Sequence, residues 1–137
     1  MIITKRRKIS LILLLLGSIF SACTKNEIKI DPDNLLIGTW NYSEYTGDLN
    51  IYTRSLDFTD THCYKFNSDG SFIERSISGW CATPPVSYSN YPGTWTILND
   101  TLIQINGTYW GGTTTFKLDI ESVSTTSLKV IRVSASE

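Results

Sequence analysis

The 137-residue sequence predicts an all-β protein, a small antiparallel up-and-down β-barrel of seven or eight strands over residues 35–137. Three observations carry that expectation. Good helix formers are sparse after residue 40; Thr, Ser, Tyr, Trp, Ile and Gly dominate there and suit a pleated, half-buried surface. Apolar and polar residues alternate with period two in segment after segment. The segments are short and separated by turn residues, which favours strands paired with their chain neighbours over a parallel fold.

The segments follow in order. "GTWNYSEY" (38–45) places Trp40 and Tyr42 on one face and Thr39, Asn41 and Ser43 on the other. "LNIYTRSLDF" (49–58) is the candidate for an eighth strand. "THCYKF" (61–66) and "SFIERSIS" (71–78) flank a turn in which Ser68-Asp69-Gly70, with Gly70 left-handed, makes a hairpin with a bulge. That register sets Phe66 opposite Phe72, Tyr64 opposite Glu74 and Cys63 opposite Arg75, with Tyr64, Phe66 and Phe72 inward. "GTWTIL" (93–98) and "TLIQIN" (101–106) meet at Asn99-Asp100, a two-residue type I′ signal. "TTFKLDIE" (114–121) sets Phe116, Leu118 and Ile120 against Lys117, Asp119 and Glu121, and "SLKVIRVS" (127–134) closes the chain. Closing such a meander into a barrel removes its edges; with eight strands the interior is either filled or holds one small ligand.

The N-terminus reads differently. "MIITKRRK" is basic, and no acid precedes Cys23. The apolar run 9–20 has 12 residues, about 18 Å as a helix against the roughly 30 Å of a bilayer core. With Ser21 and Ala22 after it, this is signal-peptide anatomy, so residues 1–22 are expected to be removed. "Phe20-Ser21-Ala22-Cys23" resembles a bacterial lipobox, with Phe where Leu is usual. That resemblance implies that Cys23 becomes the first mature residue, with a diacylglycerol on its thiol and a third acyl chain on its amine. Two or more chains anchor stably to a membrane where one does not. The same resemblance, with no Asp at position 24, implies sorting to the outer membrane of a bacterial cell envelope. Residues 23–34 then form the lipidated Cys and a flexible tether, with Pro32 and Asn34 discouraging regular structure. "DPDN" (31–34) lacks the Gly and distal Glu of a calcium loop. Without residues 1–22 the chain keeps 8 basic and 13 acidic residues, a net charge of about −5, which argues against a nucleic-acid partner.

The order of the body's motifs resembles the lipocalin-like domains of small bacterial lipoproteins. "LLIGTW" (35–40) holds a Gly-x-Trp at Gly38 and Trp40; "YKFNSDGSF" (64–72), "GTWTIL" (93–98) and "LDIESVSTTSLKV" (118–130) follow in family order. The resemblance spans residues 35–134. It implies a barrel closed at the Gly38–Trp40 end, with an Arg of the last strand, Arg132, lying over Trp40. It also implies a small hydrophobic or amphipathic ligand, for which Tyr64, Phe66, Phe72 and Phe116 are the candidate lining residues.

With Cys23 lipidated, Cys63 and Cys81 leave an even count in an oxidising compartment, which favours a disulfide between them. Extended, the two would stand roughly 20 Å apart, so pairing requires the chain to bend back near Gly79. The lone histidine, His62, shares a strand face with Asp60, but without a second His it reads as a strand end rather than a metal site. No triad, phosphate loop or Cys-x-x-Cys is present, so no enzyme activity, metal or cofactor is expected. "Asp100-Thr101-Leu102" looks like an O-glycosylation sequon of envelope proteins, and a hairpin turn explains it equally well. Trp80, Tyr88, Tyr91, Trp95, Tyr109 and Trp110 crowd the middle of the chain. They either plug barrel ends or form a stacking surface. The expectation is therefore a lipid-anchored ligand-binding barrel; the alternative is an interaction module recognising an envelope protein or polysaccharide through aromatic loops.

Overall fold

The computed structural model describes residues 34–79 and 83–134. The signal segment, Cys23, the tether before Asn34, Trp80 and Cys81 lie outside the described residues. Eight antiparallel strands form a closed barrel: β1 (Gly38–Thr46), β2 (Leu49–Ser55), β3 (Cys63–Phe66), β4 (Ser71–Ile77), β5 (Tyr88–Ile97), β6 (Leu102–Tyr109), β7 (Gly112–Val123) and β8 (Ser127–Ser134). The all-β barrel expected from the alternation is the architecture observed, and no helix occurs among the described residues.

Around the barrel the order is β1-β2-β8-β7-β6-β5-β4-β3. Strands β3 to β8 are each paired with their chain neighbours. The departure is at β2–β3: β1 pairs with both, so residues 56–62 cross outside β1, from Ser55 opposite Thr39 to Cys63 opposite Asn41. This crossover explains two buried polar positions on the outer face. Asn41 donates from Nδ2 to the Asp57 carbonyl, and the Cys63 thiol lies against the carbonyls of Thr59 and Thr61 at 3.6 and 3.2 Å. Cys63 is a free, buried thiol, so the expected bond to Cys81 is not present. Its side chain is directed under the crossover.

The β3–β4 hairpin has the expected register, with Phe66 opposite Phe72, Tyr64 opposite Glu74 and Cys63 opposite Arg75. Gly70 has φ 87°, the left-handed conformation the three-residue loop requires. The β5–β6 turn differs from expectation. A type I′ turn needs positive φ at both central residues, and no described non-glycine residue has one. Instead Leu98 N–H donates to the Leu102 carbonyl, leaving Asn99–Thr101 as the loop, and Asn99 Oδ1 accepts from the amides of Thr101 and Leu102. The Asn side chain supplies the turn that the backbone would otherwise make.

One end of the barrel is sealed by residues at the start of β1. Leu36 is buried, and its carbonyl accepts from Trp40 Nε1 at 2.8 Å. The cation over Trp40 is Arg54, whose guanidinium carbon stands 4.3 Å from the ring centroid, not Arg132 as the resemblance implied. The reason is register: Arg54 is directly opposite Trp40 on β2, while Arg132 lies toward the other end of β8. Arg54 also donates to the carbonyls of Ile37 and Leu35. Gly38 has φ 139°, and a Cβ there would meet Arg54 Nη1 at 2.5 Å, so glycine is required beside this clamp. Above it the interior is filled by Phe66, Phe72, Trp95, Ile105, Leu118, Leu128 and Val130. Trp95 satisfies its Nε1–H on the Asn67 carbonyl.

Gly93 on β5 marks a close approach of two strands. A Cβ there would lie 2.5 Å from the Asn106 carbonyl oxygen and 2.8 Å from Gly107 Cα, both backbone. A Cβ at Gly107 would meet side-chain methyls at 3.7 and 3.9 Å, ordinary contact. Gly93→Ala should therefore destabilise by about 1–3 kcal/mol, the range of overpacked sites, while Gly107→Ala should cost clearly less. Urea unfolding of both variants checks this, and equal effects would contradict the assignment.

Candidate functional site

At the end opposite Trp40 the interior turns polar. On β4 the alternation that points Phe72 inward also points Glu74 inward, and on β8 the one that buries Leu128 and Val130 aims Arg132 into the barrel. β4 and β8 are diametrically opposed in the barrel order. Arg132 Nη1 reaches across to Glu74 Oε1 at 2.6 Å and to the Tyr64 hydroxyl at 3.3 Å, while its guanidinium carbon lies 3.6 Å from the Phe116 ring centroid. The pair is a strut spanning the barrel, with the filled aromatic core beneath it.

The crossover supplies the third member. It ends at His62, whose carbonyl accepts from the Tyr42 amide and whose ring turns into the mouth. His62 Nε2 contacts Glu74 Oε1 at 2.7 Å, and Nδ1 contacts the Tyr52 hydroxyl at 2.9 Å. Burial pushes the Tyr52 hydroxyl well above its ordinary pKa, with Tyr64 adding to the effect, so it holds its proton and can donate. Burial likewise raises Tyr64, against the opposing charge of Arg132. A carboxylate only accepts, so Nε2 carries a proton toward Glu74; in the neutral ring Nδ1 then accepts from Tyr52.

Glu74 is 7% exposed. Burial alone would raise its carboxyl, but the hydrogen bond from His62 and the charge of Arg132 overrule it and hold the group below the ordinary glutamate value. The site therefore contains an ionised carboxylate and a guanidinium that compensate each other inside a barrel.

Above the strut lies a pocket of about 640 Å³, within the roughly 300–1,000 Å³ range of small-molecule sites. Its floor is formed by His62, Glu74 and Arg132, with the hydroxyls of Ser76 and Thr114 beside them. Ile77, Tyr88, Tyr109 and Trp110 give it an apolar wall. Tyr109 and Trp110, at the β6–β7 turn, are 42% and 52% exposed and meet edge to face. A smaller pocket of about 280 Å³ shares His62 and Arg132 and reaches Tyr42, Asn50, Tyr52 and Tyr64.

The four expected lining residues separate. Tyr64 reaches the smaller pocket, whereas Phe66, Phe72 and Phe116 are packed in the core and line neither pocket. Asp60 pairs with Arg75 at 2.7 Å instead of joining His62. Among the described residues no group of three or more His, Cys, Asp and Glu is placed to hold a metal ion. The pairing of Glu74 with Arg132 carries no local sequence signal, although alternation on β4 and β8 points each inward. Comparison of the chain with known protein families, curated proteins and solved structures returned no match.

The depressed Glu74 carboxyl has a pH consequence. Its contribution to stability is complete above the ordinary value of about 4.5 and is lost as pH falls through the lower value of the folded state. Wild type should be more stable than Glu74→Gln at neutral pH, and the gap should narrow on acidification below about pH 4.5. Denaturant titrations of both proteins at several pH values measure it; a gap unchanged down to acid pH would contradict the ionised strut.

Proposed function

We propose that this protein is a non-enzymatic, lipid-anchored lipocalin-like module of the bacterial cell envelope that binds a small hydrophobic or amphipathic ligand. The observation that supports binding most strongly is the pocket of about 640 Å³ above the strut, apolar on its wall and polar on its floor. Such a combination buries an apolar body while fixing the orientation of one polar end. Lipocalin-like character is supported by the closed eight-stranded barrel together with the Gly38–Trp40 motif at its sealed end. The anchor at Cys23 and the outer-membrane location are supported by the sequence of the N-terminus alone.

A second reading, recognition of an envelope protein or polysaccharide, is favoured by the exposed pair Tyr109 and Trp110. In that case the aromatic pair would act as a stacking platform at the rim.

Mass spectrometry of the full chain, purified from the membranes of a bacterium that processes lipoproteins, tests both parts. The intact chain should begin at Cys23 and carry covalent acyl groups, which Cys23→Ser should abolish. Under native conditions it should also release a noncovalent amphiphile. A normally matured, membrane-bound Cys23→Ser protein would refute the anchor, and repeated absence of bound amphiphile would refute the ligand reading.

A further inference from the structure

We infer that the pocket selects amphiphiles with an uncharged, hydroxyl-bearing head, and that Glu74 is the residue that turns anionic heads away. The inference rests on the ligand-binding reading above and specifies its ligand. An arginine on the floor of an apolar pocket would ordinarily invite a carboxylate or phosphate. Here one of its donors is already taken, because Arg132 Nη1 is bonded to Glu74 Oε1 at 2.6 Å. The carboxylate belongs to the protein and is held by two donors, Arg132 and His62. An anionic head would have to displace it, leaving a buried carboxylate without its partner, or accept from Arg132 Nη2 and Nε beside it, against the like charge of Glu74. Both are costly in a site of low dielectric.

The groups left over suit a neutral head. Glu74 Oε2 makes no hydrogen bond among the described residues and remains an acceptor on the pocket floor. Arg132 uses only Nη1, and its side chain is 38% exposed, so Nη2 and Nε remain donors. The hydroxyls of Ser76 and Thr114 also line the floor and make no side-chain hydrogen bond among the described residues. A hydroxyl can donate to Glu74 and accept from Arg132 at once, whereas a carboxylate can only accept. The apolar chain then lies along Ile77, Tyr88 and Trp110 toward the rim.

The test uses two probes of equal chain length, 1-monododecanoylglycerol and dodecanoate. Each is titrated calorimetrically below its micelle concentration into the delipidated chain at pH 8, above the ordinary histidine range. Wild type should bind the glyceride at least about tenfold more tightly than dodecanoate, and Glu74→Gln should reverse the order, as expected when a charged group loses its opposite partner. Arg132→Gln should weaken dodecanoate further while admitting dodecyltrimethylammonium. The wild-type comparison decides the matter even where a variant fails to fold. If dodecanoate binds wild type as tightly as the glyceride, the selectivity is wrong and the ligand-binding reading stands. If wild type binds neither probe, that reading itself falls, and the inference with it.

Discussion

The Glu74–Arg132 pair is the constraint around which the rest of the barrel is arranged. It joins two strands that face each other across the interior, β4 and β8. Strands so placed share no backbone hydrogen bonds, so their relation is otherwise set only by packing and by the closed ladder. An ion pair this buried is costly to desolvate and is weak grounds for claiming stability by itself. What it does is divide the interior. Below it, aromatic and aliphatic side chains fill the barrel down to Trp40; above it, the space stays open and polar-floored. A Leu and a Phe at these two positions would continue the core and close the pocket.

The other unusual features of the fold serve the same division. The β2–β3 crossover is the one connection that departs from nearest-neighbour order, and it delivers His62 to the carboxylate. Without a second donor, Glu74 would depend on Arg132 alone. At the opposite end Arg54 takes up the carbonyls of the segment before β1 and covers Trp40. The two arginines thus have separate roles, Arg54 sealing one end and Arg132 setting the floor at the other.

Much of this was legible in the sequence, for local reasons. The Ser68-Asp69-Gly70 turn fixed the β3–β4 register because its glycine dictates the loop length, and with that register Glu74 fell opposite Tyr64. The alternation in "SLKVIRVS" located β8 to the residue. What escaped was non-local. No periodicity reveals that Arg132 meets Glu74, since the two stand 58 positions apart in the chain and on opposite sides of the barrel. The Asn99-Asp100 turn misled because an Asn side chain can close a loop without adopting the left-handed backbone that its type I′ reading requires. Arg54 over Trp40 depends on the length of the β1–β2 hairpin and its bulge between Tyr42 and Glu44, a register that alternation alone does not set.

The division of the interior requires Glu74 to be an ionised, doubly compensated carboxylate inside the barrel. NMR titration of its side-chain carboxyl carbon measures that directly. The midpoint should lie below the ordinary glutamate value of about 4.5 and move upward in Arg132→Gln. A wild-type midpoint at or above the ordinary value would mean that burial prevails over its partners, and the strut would not exist as described.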